Sequence, residues 1–131
     1  MGFLVDTNVL SELSKPSPNY GVVEWAGKVS QFAISAITVE ESEFGLSAKP
    51  NDRVRAWFEK FVDRHCTVLD VTEPIARRSG VLRGTLRSKG MTRTPADMLI
   101  AATAAQHSLT LVTRNIRDFE GCGIPVLDPF L

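Results

Sequence analysis

The chain has 131 residues, a length that suits one domain and can bury an apolar core without disulfide or metal staples. Its composition, 44% hydrophobic and 23% charged, is that of a soluble globular protein, and no apolar run approaches the roughly 20 residues needed to span a bilayer. Formal net charge is zero, a poor overall balance for a nucleic-acid enzyme, so any attraction for phosphate has to be local.

The opening Met1-Gly2-Phe3-Leu4-Val5 lacks a basic leader and soon meets Asp6, so no signal peptide is expected, and an acid at that position also breaks the myristoylation pattern. Phe3–Val5 reads as the first strand. A helix over Thr7–Ser14 follows and stops before Lys15-Pro16, and a second covers about Asn19–Lys28. Phe32–Ser35 is the next strand, leading into a helix from about Thr38 to Ala48 that ends before Pro50. Asp52–His65 places Val54, Trp57, Phe58, Phe61 and Val62 at helical spacing. Trp25, Trp57 and Phe58 are expected in the core or a dimer contact.

Thr67–Val71 reads as a third strand and Glu73–Ser88 as a helix closed by Lys89-Gly90. The next helix opens at Thr94-Pro95-Ala96-Asp97, with Thr94 as cap and Pro95 at the first position, and ends near His107. Leu109–Val112 and Pro125–Leu127 complete the strands, with a short turn at Asn115–Phe119 between them. Near-continuous apolar strands alternating with helices predict an α/β sandwich around a mainly parallel sheet buried on both faces. Cys66 and Cys122 lie far apart without metal-ligand spacing, which predicts reduced thiols in a cytoplasmic protein.

Charge is unevenly distributed. Residues 1–50 carry three Lys against six Asp and Glu, whereas residues 73–93 carry Arg77, Arg78, Arg83, Arg87, Lys89 and Arg93 against Glu73 alone. That stretch reads equally as a solvated helix face or as a phosphate-binding surface.

Active sites of open parallel sheets gather beyond the carboxyl ends of the strands. Asp6 directly follows the first strand, and Thr113, Asn115 and Asp118 follow Leu109–Val112. Asp97 lies in the first turn of the preceding helix, and an acid of the Glu40, Glu41 and Glu43 group lies early in the helix after Phe32–Ser35. Each has a plain structural reading as a helix cap, a turn former or a solvated residue. Their joint convergence on one edge calls for a hard cation, because clustered carboxylates repel each other. Oxygen-only donors favour Mg²⁺ or Mn²⁺ over Zn²⁺. An apolar stripe through Ile37, Phe44 and Ala48 lies nearest Glu41, slightly farther from Glu40, and does not separate the two.

The runs Phe3-Leu4-Val5-Asp6-Thr7-Asn8-Val9-Leu10, Ser35-Ala36-Ile37-Thr38-Val39-Glu40-Glu41, Pro95-Ala96-Asp97-Met98-Leu99-Ile100-Ala101 and Leu111-Val112-Thr113-Arg114-Asn115-Ile116-Arg117-Asp118-Phe119 resemble, in order, the motifs of PIN-domain ribonuclease toxins of the VapC type, in the VapC/FitB-like branch. The resemblance implies a single PIN domain over residues 1–131, a PIN-like three-layer α/β/α sandwich with a mainly parallel central sheet. It implies Asp6, Glu41 and Asp97 around Mg²⁺ (or Mn²⁺), Asp118 as a further catalytic acid, and Asn8, Thr113 and Asn115 in support. The fourth ligand stays open between Asn115 and Asp118. Ser42 departs from the pattern, standing where an apolar residue usually follows the acid. Arg114 and Arg117 are candidate phosphate contacts.

The implied activity is endoribonucleolytic cleavage of tRNA, rRNA or mRNA, with a VapB-like antitoxin and a homodimer as partners. A non-catalytic RNA- or protein-binding module of the same fold is the alternative. An aspartyl-nucleophile phosphatase would need a second acid two residues after Asp6, where this chain has Asn8.

Overall fold

The computed structural model describes residues 2–131. In chain order the elements are β1 (Phe3–Val5), α1 (Thr7–Leu13), α2 (Tyr20–Gly27), β2 (Phe32–Ser35), α3 (Ala36–Ala48), α4 (Asp52–His65), β3 (Cys66–Leu69), α5 (Glu73–Ser88), α6 (Pro95–Gln106), β4 (Thr110–Val112) and β5 (Val126–Leu127). A 3-10 turn occupies Ile116–Phe119.

All strand pairings are parallel, in the order β3-β2-β1-β4-β5. Central β1 sets Leu4 opposite Ala33 of β2 and Leu111 of β4. The chain steps outward from β1 through β2 to β3, then crosses to the far side of β1 for β4. The order therefore reverses between β1 and β4, and their carboxyl ends open a crevice there.

Successive strand residues face opposite sides. Leu4 and Leu111 pack with Leu86 of α5 and with Met98, Ile100, Ala101 and Ala104 of α6. Val5, Val112, Phe32 and Ile34 pack on the other face with Val9 and Leu10 of α1, Val22 of α2 and Phe58 of α4. This is the α/β sandwich read from the alternation of apolar runs, in the three α/β/α layers that the family resemblance implies. Trp25 bridges Phe3 and Phe32, and Trp57 stacks on Phe61 with ring centroids 4.7 Å apart, so both tryptophans pack within the protein.

Some expectations need correction. α3 begins at Ala36, earlier than Thr38, because Ser35 ends β2 and caps the helix at once, its Oγ accepting from the Ile37 N–H at 3.0 Å. Only the Ile37 end of the Ile37–Phe44–Ala48 stripe faces inward: Ile37 packs against the core, whereas Phe44 is 70% exposed, Ala48 is exposed and Thr38 is the buried residue of α3. Edge strand β3 departs from burial on both faces, with Val68 41% exposed, and it ends at Leu69 instead of Val71.

Candidate active site

The crevice is a cleft of about 320 Å³ lined by Asp6, Thr7, Asn8, Ser11, Glu41, Asp97 and Asn115. Asp6 reaches it because β1 ends at Val5 and the Asp6 N–H still donates to the Val112 carbonyl at 2.9 Å. Asp6 is also the cap of α1, its Oδ1 accepting from the Thr7 N–H at 2.8 Å. Capping and facing the cleft are thus one placement, not competing ones. Its Oδ2 accepts from the Thr113 hydroxyl at 2.8 Å and the Asn8 amide at 3.2 Å. Asn8 also donates to Thr113 Oγ1 and accepts from the Arg114 N–H, so it ties the end of β4 to the start of α1.

Asp97 sits in the first turn of α6, where Thr94 Oγ1 accepts from the Asp97 N–H at 3.1 Å. Glu41 projects from α3, its Oε1 accepting from the Thr7 hydroxyl at 2.6 Å, while Glu40 and Glu43 are exposed. Asn115 lines the cleft. Asp118 is exposed in the 3-10 turn and does not line it, although its charge reaches Asp97. Arg114 and Arg117 are exposed outside the lining, and the Arg114 guanidinium lies 4.7 Å from the centroid of the Phe130 ring. Thr7 and Ser11 were not anticipated. The signal was their spacing: Thr7 and Ser11 lie four residues apart and so share one face of α1.

Burial pushes the Asp6 carboxyl above its usual range. Hydrogen bonds from Thr113 and Thr7 oppose that shift, and the charges of Asp97 and Glu41 add to it. Asp97 is raised chiefly by burial as well, with Asp118 and Glu41 adding and Thr94 and Arg93 opposing. The ion pairs among the described residues leave Asp6, Glu41 and Asp97 without a basic partner. Crowded, desolvated carboxylates with only oxygen and amide neighbours suit a hard cation in kind. Among the described residues, no three His, Cys, Asp or Glu side chains stand together as a finished metal cage. A thiol nucleophile has no support here, since burial lifts Cys66 to about 11.

A family model for the PIN domain matches residues 3–121. The VapC ribonuclease Y4jK of Sinorhizobium fredii is 33% identical, over 97% of this chain and 96% of that protein. Toxin FitB of Neisseria gonorrhoeae is 33% identical over 97% of both. Among solved structures, a chain of DNA-bound VapBC from Salmonella typhimurium superposes with a TM-score of 0.84 at 33% identity, covering 98% of each chain. With these strands, this switch-point cleft and near full-length similarity, the chain belongs to the PIN-domain family, alongside VapC- and FitB-type proteins.

Proposed function

We propose that the protein is a metal-dependent endoribonuclease, the toxin of a VapBC-type toxin–antitoxin pair, acting in the cytoplasm. The observation that carries this reading is the meeting of Asp6, Glu41 and Asp97, from three distant stretches, in one cleft without a cationic partner. The VapC and FitB relatives support ribonuclease and toxin, and the VapBC neighbour supports a VapB-like antitoxin as partner. A homodimer is part of the same proposal.

Asp6 and Asp97 would hold Mg²⁺ (or Mn²⁺), with Glu41 completing the set directly or through water. When bound, the ion supplies a polarised phosphate, a more acidic water and charge for the in-line displacement. The chain's own residues prepare that chemistry. Thr113 and Asn8 hold Asp6 Oδ2 in one orientation. Thr7 orients Glu41, whose carboxylate would accept a proton from an attacking water. Asn115 offers an amide to a phosphate oxygen or water at the rim, and Asp118 adds negative charge behind Asp97.

The test is cleavage of tRNA, rRNA and mRNA by the purified chain with Mg²⁺ or Mn²⁺ and with EDTA. Asp6→Asn and Asp97→Asn are each expected to slow cleavage on the order of a thousandfold, the several kcal/mol that an activating ion supplies. Metal-dependent cleavage retained by the folded double variant rules the reading out.

A further inference from the structure

α5 carries a second cavity, of about 460 Å³, lined by Gly80, Arg83, Gly84, Arg87, Thr92 and Arg93. Arg83 and Arg87 are exposed one helical turn apart, and neither takes part in an ion pair among the described residues. Arg77 on the same helix is neutralised by Glu73 at 2.8 Å. Arg93 enters from the α5–α6 connection. Its Nη2 donates to the Glu120 carbonyl at 3.2 Å, and its Nε is buried without a hydrogen-bond partner.

Besides Thr92, the other lining residues are Gly80 and Gly84, one turn apart inside α5, where glycine is the poorest helix former after proline. Nothing within the protein requires them: a Cβ at Gly80 or Gly84 meets no atom within 4 Å. The bare backbone is therefore open to something outside, flanked by arginines whose planar forks match phosphate oxygens.

We propose that this groove binds the RNA phosphodiester backbone beside the cleavage position, an inference that rests on the nuclease reading. The acid cleft repels phosphate, so attraction has to come from cations alongside it. Arg93 precedes Thr94, which caps α6 at Asp97, and so links the groove to the cleft in sequence and in structure. An acidic segment of a protein would satisfy the arginines but would not need the glycine backbone bare.

The experiment measures binding of a labelled oligouridylate to the intact chain in EDTA across a KCl series, with a polyglutamate peptide as the competing class. For R83Q/R87Q, the slope of log K against log salt is expected to fall by about 1.4, with about a 20-fold loss of affinity near 0.1 M salt. G80Q/G84Q, which leaves the charge intact, is expected to raise Tm by about 3 to 5 °C per residue while weakening oligouridylate binding. Unchanged RNA affinity in either folded variant overturns the proposal. So does polyglutamate binding that is lost in R83Q/R87Q while oligouridylate binding persists. The two readings fail separately. A chain that binds RNA through these arginines yet never cleaves it keeps the groove and loses the nuclease. One that cleaves with unchanged KM in R83Q/R87Q keeps the nuclease and loses the groove.

Discussion

Asp6 carries two demands on one side chain. It caps α1 and it contributes negative charge to a cleft that already holds Glu41 and Asp97. Burial outweighs its hydrogen bonds, so its native pKa stands above the unfolded value near 3.8. The folded state then holds the proton more tightly, and Asp6 withdraws stability as pH rises from about 4 through the raised native value. Glu12 works the opposite way: its hydrogen bond from Lys15 lowers its pKa, and its contribution is lost as pH falls. The informative quantity is therefore a difference between proteins. In EDTA, Tm of the wild type relative to Asp6→Asn is expected to drop as pH is raised from about 4 to 7, and added Mg²⁺ is expected to recover it at pH 7. A difference that stays flat over this interval, followed by circular dichroism melts, contradicts a destabilising ionised Asp6.

At the scale of elements, the site depends on how helices begin. Three of its acids sit just after a strand or within the first turns of a helix, where a side-chain cap sets the backbone. Ser35 caps α3, Asp6 caps α1, and Thr94 with Pro95 starts α6. Losing the Thr94 hydroxyl leaves the Asp97 N–H without its acceptor. Thr94→Ala is expected to cost about 1 kcal/mol and lower Tm by about 3 to 5 °C. It is also expected to lower kcat, because Asp97 loses its anchor. Unchanged melting and unchanged turnover would show that Pro95 alone sets this helix start. Caps have short, local signatures, so the starts of α1 and α6 were legible, but the start of α3 was read two residues late, at Thr38. The inward face of α3 was not legible: Phe44 satisfied the helical period yet lies in solvent, whereas Thr38 and Glu41 turn toward α1, where the Thr7 hydroxyl donates to both. Glu41 was chosen by motif resemblance, and periodicity alone pointed along a stripe that the fold packs only at its Ile37 end.

At the scale of the molecule, the reversal of strand order between β1 and β4 brings Asp6 and Thr113 together across 107 residues of chain. The carboxyl terminus fastens the same region from outside. Asn19 exchanges hydrogen bonds with the Leu131 backbone at 2.9 and 3.1 Å, and Phe130 meets the Arg114 guanidinium beside Thr113. Gly21 permits this closure, since a Cβ there would collide with the Pro129 carbonyl and the Leu131 side chain. Gly21→Val is expected to displace the tail at a cost of about 1 to 3 kcal/mol and to speed carboxypeptidase trimming of the last residues. Equal trimming rates and equal Tm would show that the tail is held some other way.

The sequence by itself determined the elements, the layer order and the acids worth watching. Apolar period, capping residues and proline positions act over a few residues, and parallel strands place their carboxyl ends on one edge. Only the tertiary structure decided which polar atoms meet. It set Thr7 against Glu41, Asn8 between Asp6 and Thr113, Asn115 in the cleft with Asp118 outside it, and Arg93 across from Arg83 and Arg87. Those pairings depend on crossover connections and side-chain packing between residues far apart in the chain, and no local rule of spacing encodes them.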